Sequence, residues 1–218
     1  MAIEIVRRRF ISALVGAAAA WPLAARAQQP TKLPTIGFLG PMTPAIMSPW
    51  TTAFVQRLHE LGWIESRTLG IEYRWADGRS ERYPDIAAEL VRLKVDVIVT
   101  EGNAPALAAK QATSIIPIVF ALAGDPLGSG LVAGLARPGG NATGLSIQQT
   151  DAASKRLDLL RDVLPSLRRT AILANVGNPA AVLEMGEVQA AARTFGIEIV
   201  ALEIRRAEDR RVQSAHGT

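Results

Sequence analysis

Cysteine is absent from all 218 residues, and histidine occurs only as His59 and His216. The first absence excludes a thiolate nucleophile, an iron–sulfur cluster, a thiolate zinc centre and a disulfide framework. The second leaves little for a histidine metal site or a histidine-based triad. Aromatic residues are scarce, at 5%. Charge of one sign is also short once its location is considered. Arg7, Arg8, Arg9 and Arg26 lie in the first 27 residues against Glu4 alone, and the remainder carries 20 basic and 19 acidic residues, a net of +1. A chain so close to neutral has no broad basic face for a phosphate backbone, so no nucleic-acid partner is expected. The 49% of apolar residues, with 18 glycines and 13 prolines, suit one domain with a good core, or one and a half smaller ones.

Residues 1–27 read as an export signal. Three arginines precede an uncharged run over 10–25, and Ala25-Arg26-Ala27 places small residues at the −3 and −1 positions of a cleavage before Gln28. Arg7-Arg8-Arg9-Phe10-Ile11 resembles the twin-arginine signal. The run is broken by Pro22 and falls short of the ~20 apolar residues of a spanning helix. Export to the periplasm is therefore expected, and with no cysteine to carry it, no lipid anchor.

From Thr35 onward, apolar strand-like runs alternate with helical periodicity. Thr35-Ile36-Gly37-Phe38-Leu39 reads as a buried strand. Ser48-Pro49 then predicts an N-cap and first helical residue, with Trp50, Phe54, Leu58 and Leu61 on the core face and Gly62 as the stop. Residues 69–75 alternate like a strand near a sheet edge. A helix is predicted around 84–93, burying Ile86, Leu90 and Leu93, followed by a strand over 95–99, a helix over 104–113 and a strand beginning at or just after Pro117. The turn-forming stretch 135–144 reads as a crossing between lobes. Alternation resumes with a helix over 152–164, a strand over 170–174, a helix over 179–195 and a strand over 197–202. This order predicts an α/β fold: a Rossmann-like parallel-sheet lobe over 28–145, an incomplete second α/β lobe over 146–202, and a divergent tail over 203–218. Ligands of such sheets bind at the rim of strand carboxyl ends.

Several segments together, Leu61-Gly62-Trp63, Ile71-Glu72-Tyr73-Arg74-Trp75-Ala76, Ile116-Pro117-Ile118-Val119-Phe120, Gly124-Asp125-Pro126, Arg137-Pro138-Gly139-Gly140-Asn141-Ala142-Thr143-Gly144 and Lys155-Arg156-Leu157-Asp158-Leu159-Leu160, carry a resemblance. With the leader, they closely resemble the substrate-binding proteins of ABC importers, in the branch related to tryptophan-binding proteins. The resemblance implies a type I periplasmic-binding-protein fold of two lobes, capture of a small molecule, often an amino acid or related compound, in the interlobe cleft, and delivery to an inner-membrane ABC permease. It implies no enzyme activity and no cofactor. Members of the family run to about 300 residues, as two full lobes require. The expectation is a C-terminally truncated or frameshifted chain that binds ligand poorly unless another polypeptide completes it, or a remnant that no longer serves transport.

Under that resemblance the ligand-binding candidates are Gly40, Gly102, Asn103, Ala104, Asp125, Asn175 and Asn178. Asn103 either caps the helix after Gly102 or stands where first-turn N–H groups receive a ligand carboxylate. Asp125 suits a ligand ammonium or caps a helix before Pro126. Gly40, with residues 41–43, closes over the ligand or forms a plain loop. Asn175 and Asn178 hydrogen-bond a ligand or make the turn before Pro179. Ser146 lies near the hinge, and no metal site is expected. A dinucleotide enzyme is disfavoured, since only Gly37 and Gly40 follow the first strand where three patterned glycines are needed. Neither a phosphate loop ending in Gly-Lys-Ser/Thr nor a Gly-x-Ser-x-Gly elbow occurs.

Overall fold

A computed structural model describes residues 32–205, so the leader, its cleavage site and most of the tail lie outside the described residues. Within them strands and helices alternate, except over 124–141, where turns join two successive strands. Strand β1 (Thr35–Gly40) is buried along five of its six residues. Helix α1 (Pro44–Glu60) leads to β2 (Gly70–Trp75), and a 3-10 turn over Ser80–Arg82 opens into α2 (Tyr83–Arg92). Then follow β3 (Val97–Thr100), α3 (Asn103–Ala112), β4 (Ile118–Ala123) and β5 (Ala142–Ser146). These five strands form one sheet in the order β2-β1-β3-β4-β5, and every neighbouring pair is parallel.

Parallel strands bury both faces, and each side chain's parity decides which. Leu39, Ile98, Ile118, Phe120 and Ala142 point to one side, where Ile86, Ala87 and Leu90 of α2 and Ala106 and Ala109 of α3 meet them. Ile36, Phe38 and Val99 point to the other side, against Met47, Phe54 and Leu58 of α1. At Gly37 an added Cβ would stand 3.0 Å from the Leu90 side chain, so the missing side chain lets α2 lie close.

Beyond the crossing over 147–152, α4 (Ala153–Val163), β6 (Arg169–Asn175), α5 (Pro179–Phe195) and β7 (Glu198–Ile204) make a second, smaller layer. Strands β6 and β7 pair in parallel over seven residues. Leu157 of α4, Ala192 of α5 and Ile197 form a separate cluster with Leu160, Val188, Phe195 and Ile199 around it. The crossing is tied to this layer by Glu184, whose carboxylate accepts from Gln149 Nε2 and pairs with Arg156 Nη2 at 2.6 Å. Ser146 Oγ, at the end of β5, donates to Gln148 Oε1 at 2.6 Å.

Four expectations are corrected. Helix α1 starts at Pro44 with Thr43 as its cap, so Pro49 falls inside the helix and Ser48 caps nothing. Trp50, expected in the core, is 62% exposed, because that part of α1 borders open cavities rather than a strand. Leu61 and Leu93, expected on core faces, are the C-caps of α1 and α2 and are exposed as well. The stretch 135–144 is no crossing between lobes: it delivers β5, which pairs with β4 in the first sheet. The start of β4 at Ile118, just past Pro117, follows from proline's missing donor, as the sequence indicated.

Candidate functional site

Strand order reverses between β1 and β3, since the chain leaves β1 toward β2 on one side and returns to β3 on the other. In open α/β sheets the crevice outside the strand carboxyl ends at such a reversal is the ligand position, because the two loops diverge there. A cavity of about 290 Å³ occupies it. Pro41, Met42, Ile46, Met47 and Trp50 line it from the β1–α1 side, and Glu101, Gly102, Asn103 and Ala104 from the end of β3. Ser80 and Tyr83 close one flank, and Asn175, Gly177 and Asn178 reach it from the second layer.

The turn from β3 into α3 is made by Gly102, whose φ of +90° is a conformation other residues avoid. Gly102 N–H donates to Leu122 O at 2.6 Å. Pro105 has no N–H, so Asn103 and Ala104 present the first-turn N–H groups that have no partner inside the helix. Asn103 is not the cap, because Gly102 holds that position. Its side chain is 2% exposed and braces the rim instead. Oδ1 accepts from Gly124 N–H at 2.7 Å, while Nδ2 donates to Asp125 O at 2.9 Å and to Ser129 Oγ at 2.7 Å.

Asp125 stands behind that brace, outside the cavity lining. Its Oδ1 accepts from Gly128 N–H at 2.7 Å, in a turn rather than the helix expected before Pro126. Gly40 also stays off the lining, and the Trp75 ring lies where its Cβ would be. Asn175 Oδ1 accepts from Gly177 N–H at 2.9 Å. Asn178 is the N-cap of α5, accepting from Ala180 N–H at 3.2 Å. Five of the seven candidates, Gly102, Asn103, Ala104, Asn175 and Asn178, therefore share one cavity, and Gly40 and Asp125 do not.

The sequence reading missed Glu101, Ser80, Tyr83, Met47 and Trp50 as cleft residues. Glu101 was within reach: it immediately precedes Gly102 at the same rim. Its negative charge also acts on Tyr83, whose phenol is raised above its ordinary value by burial first, and then by Glu101 and Glu81. Met47, Trp50 and Glu101 continue into a mostly apolar side groove of about 220 Å³, with Phe54 and Leu122. Tyr73 and Trp75, whose rings stack at 6.0 Å, border a separate groove beside α1 together with the exposed His59.

Comparison with known proteins decides the family. The profile of ABC transporter substrate binding proteins matches residues 47–216. The chain belongs to this family. A relative described as a tyrosine-binding protein of Clostridioides difficile is 26% identical over 147 residues, which is 67% of this chain and 42% of the relative. Among solved structures, a conserved domain protein of Vibrio cholerae is 29% identical with a TM-score of 0.74, over 84% of this chain and 61% of that one. An ABC domain from Streptococcus pneumoniae in complex with L-Trp shares the fold at 21% identity and a TM-score of 0.70, over 85% and 63%. The chain thus spans less than two thirds of the length of each of these three proteins. No described helix is long and apolar enough to cross a membrane.

Proposed function

We propose that the cleft captures a small solute, an amino acid or a related compound, for delivery to an inner-membrane ABC permease. The observation that carries this reading is the convergence of the α3 N-terminus, Glu101 and two asparagines on one cavity at the strand-order reversal. The N–H groups of Asn103 and Ala104 suit a carboxylate, strengthened by the helix dipole. Glu101 suits an ammonium as a charge-assisted acceptor. The oxygens of Asn175 and Asn178 are occupied in their own turns, so their Nδ2 groups are the donors left for a ligand. Met47 and Trp50 lead to the side groove, which suits an apolar or aromatic side chain. The tyrosine-binding relative supports that class.

In this reading residues 1–27 direct export and are removed before Gln28, residues 28–145 form the first lobe, and the second runs from 146 through β7, whose last residues, Glu203 and Ile204, fall in the stretch expected as a divergent tail. The activity is binding, without a catalytic group or cofactor. Calorimetry on the mature chain with L-tyrosine, L-tryptophan and L-leucine tests the reading. Saturable binding that Glu101→Gln weakens about tenfold for the amino acid, but not for its des-amino analogue, supports it. An affinity equal in both proteins, or no binding of any of the three, overturns it.

A further inference from the structure

The segment Gly124-Asp125-Pro126 lines no part of the cleft, yet the turn it opens after β4 is where helix α5 of the second layer rests. A Cβ built on Gly124 would lie 3.1 Å from Ala180 Cβ, 3.3 Å from Gln149 Oε1 and 3.5 Å from Asn103 Oδ1. One built on Gly128 would lie 3.0 Å from Leu183 Cδ1. Ala180 and Leu183 are three residues apart and share one face of α5. Carbon atoms settle at about 3.5–4.0 Å from one another, so neither glycine could carry a side chain without displacing the helix or the turn. Asp125 holds the two glycines in this arrangement, its Oδ1 accepting from Gly128 N–H at 2.7 Å. Pro126 is fully buried beside them.

Both walls of the cleft are anchored at this seat. Gly124 N–H donates to Asn103 Oδ1 at 2.7 Å, and Asn103 is the first residue of α3. Across the cavity, Ala180 N–H donates to Asn178 Oδ1 at 3.2 Å, and Asn178 caps α5. The crossing bears on the same glycine, since Gln149 N–H donates to Gly124 O at 2.7 Å while its side chain donates to Glu184 of α5. A shift of the first turn of α5 therefore carries Asn178 relative to Asn103. We infer that Gly124 is a positioning residue: its missing side chain sets how near α5 comes to α3, and so the width of the cleft that a solute bridges. Only the effect on affinity rests on the proposed capture of a solute; the spacing does not.

The test compares crystal structures of the full chain and its Gly124→Ala variant at the separation of the Asn103 and Asn178 Cα atoms. The added methyl should lengthen it by about 0.5 Å or more, the step from so close an approach to an ordinary carbon contact. Ala180→Gly in the same variant removes the opposing methyl and should return the separation to its original value. In calorimetry with L-tyrosine as the probe, Gly124→Ala should weaken binding about tenfold, and the double variant should come within about twofold of the parent. A packing defect confined to the turn would lower the melting temperature while leaving separation and affinity unchanged, and that result overturns the inference. So does a lengthened separation that Ala180→Gly does not reverse. Should Gly124→Ala fail to fold, Ala180→Gly alone decides: a shortened separation supports the inference and an equal one overturns it. No binding of L-tyrosine by the parent counts against the capture of that solute, and the separation still decides what Gly124 does.

Discussion

Asn103 shows how one side chain holds a rim together. Its amide ties the start of α3 to the turn after β4 through three partners, and the site is closed to water. Asn103→Ala leaves the Gly124 N–H without its acceptor, and the expected loss is about 2 kcal/mol in urea unfolding. A loss under about 0.5 kcal/mol would mean that the brace is dispensable. Tyr83 offers a second check at this scale. Its folded pKa is raised, so the neutral phenol is favoured in the native state. That contribution is fully present below the unfolded value near 10 and is lost as pH rises through the folded one. Melting temperature should therefore fall above about pH 10. Tyr83→Phe should flatten that fall, leaving the part due to Tyr73, whose pKa is also raised, chiefly by burial. An unchanged slope in the variant would refute the assignment. From the sequence, Asn103 was legible as a rim residue but not as a brace, since Gly124 and Ser129 lie 21 and 26 positions away.

At the scale of elements, local signals decided some boundaries and left others open. Helix α5 runs from Pro179 to Phe195 as its sequence indicates, because Asn178, Pro179 and the left-handed Gly196 all act within one turn of its ends. Asn178→Ala should cost about 1 kcal/mol in thermal unfolding without ligand, whereas Asn178→Asp should hold stability by keeping the cap oxygen. Equal losses in both would show that the cap is not what Asn178 contributes. Helix α1 has two start signals, Thr43-Pro44 and Ser48-Pro49, and local chemistry does not choose between them. Packing does: Met47, outside the later start, is 3% exposed against Phe38 and Val99. Strand β5 begins inside the turn-forming stretch 135–144, which by its sequence reads as a crossing between lobes. Gly144 is what allows the pairing, since a Cβ there would run into the Phe120 carbonyl.

For the whole molecule, the two layers differ in how much they bury. The five-stranded sheet has a continuous core from Leu39 to Ala142, whereas the two-stranded sheet rests on a small cluster around Leu157, Ala192 and Ile197. Two strands with one covered face are marginal by themselves. Amide exchange should accordingly be slowest in β1, β3 and β4 and at least about tenfold faster in β6 and β7. Equal protection in both sheets would show that they unfold as one unit.

The sequence by itself determined the alternation of strands and helices, the parallel character of the sheets and the rim at which to look for ligand. Those depend on periodicity and on proline and glycine chemistry that act over a few residues. Only the tertiary structure decided that Glu101, Tyr83 and Trp50 join the cleft while Asp125 turns behind it. Such outcomes depend on strand order and on contacts between segments far apart in the chain, which no local pattern encodes.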